Sequence, residues 1–132
     1  MTDKGEVVVP QNVSLEVVKG ENKGETFSIT NKTITIGRAA VCDIKLADKY
    51  VSNKHCQIVF RGGHFTVIDL GSLNKTKVKG TMYVQKNLRN GDIIRVGKTE
   101  LKFNWENMDE SIFSEAEDIP ILDDDSALKS EE

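Results

Sequence analysis

From Val13 to Trp105 the apolar residues tend to recur at every second position, the period of a strand with one face against a core. Leu15 and Val17 alternate with polar neighbours, as do Phe27 with Ile29 and Ile34 with Ile36; Cys56, Ile58 and Phe60 share one face. Phe65, Val67 and Asp69 follow, then Ile94 with Val96 and Leu101 with Phe103. Turn residues divide these runs at short intervals. Gly20-Glu21-Asn22-Lys23-Gly24, Arg61-Gly62-Gly63, Asn90-Gly91-Asp92 and Gly97-Lys98 each offer glycine or asparagine for positive φ. No stretch before residue 105 sustains a 3.6-residue period. The pattern predicts an all-β chain of many short strands, an antiparallel sandwich or barrel.

The two ends read differently. Residues 1–12 are expected to form a flexible N-terminal arm closed by Pro10, and residues 13–105 the folded domain. Residues 106–132 are dense in acid and serine, with only scattered Ile112, Phe113, Ile119, Ile121 and Leu122. That is too little apolar surface to fold alone, so the expectation is an acidic disordered tail or interdomain linker. A short amphipathic helix near Ser111–Glu117 is the alternative. The ending Lys129-Ser130-Glu131-Glu132 has no domain-terminus character and leaves room for further domains C-terminal to the tail.

Charge sharpens this division. The net charge of −3 hides 17 Lys and Arg against 10 Asp and Glu in residues 1–105, and 1 Lys against 11 acids beyond. A basic body suits nucleic acid, anionic lipid or phosphorylated protein. At 132 residues there is room for one domain with a core that needs no disulfide or metal. Cys42 and Cys56 therefore read as buried reduced thiols. The polar start Met1-Thr2-Asp3-Lys4 lacks a signal peptide's apolar stretch, and no run is long enough to cross a bilayer. The expected location is cytoplasmic, or nuclear if the source is eukaryotic, with no membrane partner.

A loop-built site for a phosphate ester needs a fixed cation able to make paired hydrogen bonds, a short hydroxyl donor and free backbone N–H groups. Three segments offer these. Ile36-Gly37-Arg38 ends a strand in glycine and presents arginine. Val51-Ser52-Asn53-Lys54-His55 leads into the next apolar strand. Asp69-Leu70-Gly71-Ser72-Leu73-Asn74-Lys75-Thr76 makes a polar turn between strands. Their order and spacing, followed by Asn90-Gly91-Asp92-Ile93-Ile94-Arg95-Val96-Gly97, resemble the forkhead-associated (FHA) domain family. Cys42-Asp43-Ile44-Lys45-Leu46 fits that family's short "D-I-x-L" strand.

The resemblance, covering about Val13 to Trp105, implies an antiparallel β-sandwich of about eleven strands (FHA/SMAD-like) with its ligand loops at one end. It implies a non-enzymatic module that recognises phosphothreonine on partner proteins in Ser/Thr-kinase signalling, without cofactor or metal. By the same resemblance Arg38 and Ser52 bind phosphate oxygens, Asn53 donates beside them, and Asn74 holds the peptide main chain. Gly37, His55 and Gly71 are architectural: Gly37 lets the chain turn and His55 ties the loops together. Tyr50, Val51 and Leu73 sit on the loops that set peptide specificity.

The chain departs from the family in its third loop. Leu73 replaces a hydroxyl residue that often adds a phosphate bond, a loss of about 1.5–3 kcal/mol. Lys75 replaces a glycine; turned inward, it offsets that loss as a phosphate-site cation. Lys79 stands where a second asparagine is common, and with Lys77 predicts a basic rim. Two rivals remain at this point. The altered loop fits a phosphate-independent interaction or oligomerisation domain. The basic body fits a nucleic-acid module, although aromatics are only 6% of the chain and no stacking stripe accompanies the lysines. No catalytic constellation or phosphate-cradling P-loop is present. In the tail, Ser114 of Ser-Glu-Ala-Glu-Asp has the pattern of an acidophilic kinase site.

Overall fold

The computed structural model describes residues 9–121, so what is expected of residues 1–8 and 122–132 lies outside the described residues. The strands in chain order are β1 (Val13–Lys19), β2 (Thr26–Ser28), β3 (Thr33–Gly37), β4 (Ile44–Lys45), β5 (Cys56–Arg61) and β6 (His64–Asp69). They continue with β7 (Thr76–Val78), β8 (Thr81–Asn87), β9 (Ile93–Val96), β10 (Thr99–Trp105) and β11 (Ile119–Pro120). One continuous sheet runs β2-β1-β10-β9-β7-β8-β6-β5-β3-β4, with β11 added beside β8. β8 is the strand on which the sheet folds over. Its first half, Thr81–Tyr83, pairs with β7, and its second half, Gln85–Asn87, pairs with β6. The expected sandwich forms, with one exception to its antiparallel rule. β4 runs parallel to β3, Ile36 opposite Ile44, because the connection after Gly37 carries the chain back before β4 begins.

Alternation builds the core as the pattern requires. In β10 every second residue is buried, and Leu101, Phe103 and Trp105 point inward beside Leu15 and Val13 of β1. Trp105 meets Phe65 edge-on at 5.0 Å between ring centroids, and Phe103 lies 5.6 Å from Phe65. Each such side chain withdrawn from water contributes about 1.5–3 kcal/mol. Among the described residues no helix is long and apolar enough to cross a membrane. Cys42 and Cys56 are free and buried. Burial pushes the Cys56 thiol up to about 12, and the nearby Asp69 charge adds to the shift, so it stays protonated and inert.

The segment after Trp105 departs from expectation. Far from hanging loose from residue 106, it is laid on the sheet as far as Ile121. A single 3₁₀ turn, Glu110–Ile112, is capped by Asp109, and β11 then pairs with β8. Arg89 bonds Glu110 at 2.8 Å; Lys86 is paired with Asp118 at 2.9 Å and Glu115 at 3.2 Å. Asp118 also accepts from the Asn87 N–H, and Ser114 accepts through its carbonyl from the Asn87 side chain. The segment does lack the apolar content to fold alone. It is held because β8 supplies a strand edge and the buried Lys86 cation, with exposed Arg89 just beyond, and it protects that edge in turn.

Candidate functional site

The end of β3, the connection from β4 to β5, the connection from β6 to β7 and the β9–β10 turn are bonded to one another at one end of the sandwich. Gly37 permits the closest of these approaches. A Cβ there would lie 2.1 Å from the Asn53 carbonyl oxygen and 2.8 Å from Cys42 Sγ. Its φ is not among the positive values, so its role is close packing and not the turn expected for it. With Gly37 bare, the Arg38 N–H reaches the Ser52 carbonyl at 3.0 Å and the Ala39 N–H reaches that of Asn53 at 3.2 Å.

These bonds aim Arg38. Its Nε donates to the Val51 carbonyl at 3.0 Å, while among the described residues no acid pairs with the guanidinium. The exposed outer edge of the fork is thus held in place and left to solvent. Ser52 lies beside it, its hydroxyl oxygen accepting the Leu73 N–H at 3.1 Å and its own hydrogen left to donate outward. Asn53 is exposed in the same loop. Val51, expected to touch the peptide, is 1% exposed and belongs to the core. What it gives the site is its backbone carbonyl.

His55, fully buried, is the joint between two loops. Its Nδ1 accepts the Ser52 N–H at 3.1 Å and its Nε2 is 2.8 Å from the Lys75 carbonyl. Those partners fix the neutral tautomer with hydrogen on Nε2. The third loop is organised by Asp69, to which the sequence reading gave no role. One carboxylate oxygen accepts from the N–H groups of Gly71 and Ser72, and the other from the hydroxyls of Ser72 and Thr76. The signal was present, since aspartate followed two and three residues later by glycine and serine is an Asx-turn pattern. Gly71 takes φ 79°, as its place in that turn requires. Lys75 takes φ 67°, so the turn keeps the left-handed residue for which the family uses glycine. Lys75 Nζ bonds the Ser72 carbonyl at 3.2 Å, within its own loop.

Asn74 and Tyr50 close the rim. Asn74 Nδ2 donates to the Tyr50 carbonyl at 2.8 Å, leaving the side-chain oxygen to accept from a ligand. Leu73 is 83% exposed beside them, an apolar platform on the loop tip. Asp48 anchors the Tyr50 loop to the β9–β10 turn, accepting from the N–H groups of Tyr50 and Lys98 and from the Thr99 hydroxyl. Burial alone would raise its carboxyl, but those bonds, Thr99 first, hold it below the ordinary aspartate value. Lys98 Nζ sits 4.5 Å over the Tyr50 ring. A depression of about 240 Å³ opens here, and Lys75, Lys77, Arg95 and Lys98 are among the residues lining it. Arg95 lies on a strand face and Lys98 in the β9–β10 turn, outside the three loops in which the sequence offered phosphate-binding groups. Lys79 does not join this rim: it pairs with Asp92 of the Asn-Gly-Asp turn at 3.4 Å.

A β-sandwich with an anchored arginine, a serine hydroxyl and an asparagine gathered on loops at one end is an interaction module built for an anion. The chain matches the family model of the FHA domain over residues 34–97, and it belongs to that family. It is 40% identical over 96 residues to the glycogen accumulation regulator GarA of Mycolicibacterium smegmatis, covering 72% of this chain and 61% of that one. It is also 40% identical over 96 residues to an oxoglutarate dehydrogenase inhibitor of Corynebacterium efficiens, covering 72% and 68%. The match thus spans less than two thirds of the mycobacterial regulator. Among solved structures, one from a study of phosphothreonine-dependent FHA domain interactions superposes with a TM-score of 0.66 at 30% identity, over 71% of this chain and 96% of the other. Mycobacterium tuberculosis EmbR in complex with a low-affinity phosphopeptide gives 0.65 at 27% identity, over 71% and 24%.

Proposed function

We propose that this domain binds a phosphothreonine-bearing segment of a partner protein, the product of a Ser/Thr kinase. Arg38 and Ser52 take the phosphate oxygens, Asn53 donates beside them, and Asn74 receives the peptide main chain. Lys75 supplies a further cation from the third loop, and Tyr50 and Leu73 flank the peptide. The reading includes no bond-making or bond-breaking step. It places the domain in the cytoplasm, where kinases and their substrates meet.

The observation that carries this reading is the Arg38 guanidinium, fixed through Nε to the Val51 carbonyl next to the Ser52 hydroxyl and paired with no acid among the described residues. A phosphate monoester carries nearly two negative charges at neutral pH, and a pre-positioned fork matches its oxygens. Support also comes from the phosphothreonine-dependent and phosphopeptide-bound relatives among the solved structures. A phosphothreonine peptide and its unphosphorylated twin, titrated against wild type and Arg38→Ala, test the proposal. The expected result is binding of the phosphorylated form only, weakened about 30-fold or more by Arg38→Ala. Equal binding of both forms would sink it.

A further inference from the structure

Beside the loop cluster, the outward face of β7 and β9 carries an unusual pair. Lys77 lies between buried Thr76 and Val78, and Arg95 between buried Ile94 and Val96, so both side chains point outward. The register sets them directly opposite each other. Like charges at that position destabilise a sheet. Arg95 has partial relief, with Nε on the Gly97 carbonyl at 3.1 Å and one terminal nitrogen 3.5 Å from Glu100. Lys77 has no ion pair among the described residues.

The 240 Å³ depression over this pair is lined by Tyr50, Asn74, Lys75, Gly97 and Lys98 together with Lys77 and Arg95, and none of these is acidic. A second depression of about 290 Å³ shares Lys77 and Arg95 and runs on along the sheet, where Lys79, Ile93 and Glu100 also line it, so the acid-free part is the first depression. In the first depression the Tyr50 ring already has Lys98 at 4.5 Å and Lys49 at 5.5 Å over it. Leu73 is not among its lining residues. An apolar side chain there would therefore bury the Lys77 ammonium without a partner, whereas carboxylates would relieve the repulsion between Lys77 and Arg95.

We infer that this groove receives carboxylate side chains of the same partner segment that carries the phosphothreonine, so that the ligand is an acidic phosphopeptide. The inference rests on the phosphothreonine reading, because Asn74 and Lys75 join the groove to the loop cluster and deliver a bound peptide to it. The chain has a rival acid source of its own. The Ile121 N–H bonds the Met82 carbonyl, Met82 is the cross-strand neighbour of Lys77, and Asp123-Asp124-Asp125 follow in sequence.

The test uses a phosphothreonine peptide with neutral flanks, the same peptide with glutamate placed at each flanking position in turn, and unphosphorylated twins. Affinities are measured at low and high salt for the full chain, for Lys77→Gln with Arg95→Gln, and for a chain lacking residues 122–132. The best-placed glutamate is expected to tighten binding about tenfold at low salt and less at high salt. In the double variant that gain falls below about twofold, while the neutral-flank phosphopeptide binds as it does to wild type. Lys77→Glu turns the preference toward lysine at the same position, a gain that a misfolded variant cannot mimic. A glutamate effect absent from the full chain, or one that survives in the double variant, overturns the inference and leaves phosphothreonine binding intact. A gain seen only after residues 122–132 are removed assigns the groove to the chain's own tail and overturns it too. If the neutral-flank phosphopeptide binds no better than its unphosphorylated twin, the phosphothreonine reading falls and the inference with it.

Discussion

The binding loops and the C-terminal strap, residues 106–121, are both irregular segments laid on one sheet, and they are fixed by different means. The strap is fixed by charge: its acids meet Lys86 and Arg89, and Phe113 packs within 5.3 Å of the Lys86 ammonium. The loops are fixed by two hydrogen-bonding hubs, buried His55 and half-buried Asp69, whose partners are backbone groups and hydroxyls. Among the described residues, Arg38 and Lys77 on that side form no ion pair. Opposite charges are paired where the chain itself must stay, and cations are left unpaired where an anion is to arrive.

Breaking a loop hub should have the largest effect. Asp69→Ala removes four hydrogen bonds at once and is expected to cost about 4 kcal/mol in urea unfolding while abolishing phosphopeptide binding. Gly37→Ala should come next, at about 3 kcal/mol, because its Cβ cannot share space with the Asn53 carbonyl. Phosphopeptide affinity should fall with it, since the second loop must move.

Lys86→Ala is expected to cost about 2 kcal/mol, capped because the strap can detach instead of leaving Asp118 buried and unpaired. Limited proteolysis should then cut residues 106–121 while phosphopeptide affinity is unchanged, which separates the two regions cleanly. The contributions of Lys86 and Asp48 should respond to pH with opposite sign. Burial alone would lower the Lys86 ammonium, but the bond and charge of Asp118, then Glu115, outweigh it and hold it above its ordinary 10.5. A raised folded-state value gives stability that is complete below the unfolded value and lost as pH climbs through the folded one. What Lys86 contributes to the strap should therefore be lost above about pH 10.5. Asp48 is depressed, so its contribution is present above 3.8 and lost as pH falls below it, and the Tyr50 loop should loosen in acid. Amide exchange of the two regions against pH measures both.

The smallest effect tests the family departure. Lys75→Gly relieves a left-handed non-glycine residue and should change stability by less than about 1 kcal/mol, toward greater stability. It should also weaken phosphopeptide binding by removing a cation of the third loop.

Strand alternation made most of the sheet legible: β1, β3, β5, β6, β9 and β10 lie where apolar residues recur in twos. β8 was not legible. Its Lys86 and Asn87 are buried at 4% and 1%, and no rule of composition buries a lysine before the acids that cover it are known. For the same reason the strap read as a tail: its stability resides in a contact with a distant strand. At the site, motif order located Arg38, Ser52, Asn74 and His55. Motif order does not report side-chain direction: Val51, on a loop expected to set specificity, turns into the core, and Lys79, expected at the basic rim, pairs with Asp92 of a turn. Asp69 was legible as an Asx-turn pattern, whereas the Lys77–Arg95 pair depends on the register of two strands distant in sequence.

The central claim is that phosphothreonine is bound by the loops at this one end. Amide chemical-shift mapping by ¹⁵N NMR, with a phosphothreonine peptide and its unphosphorylated twin, addresses it most directly. The account predicts large shifts at Arg38, Ser52, Asn53 and Leu73–Lys75 with the phosphorylated peptide, none with its twin, and little change along β8 and the strap. Equal shifts with both peptides, or shifts centred away from these loops, would contradict it.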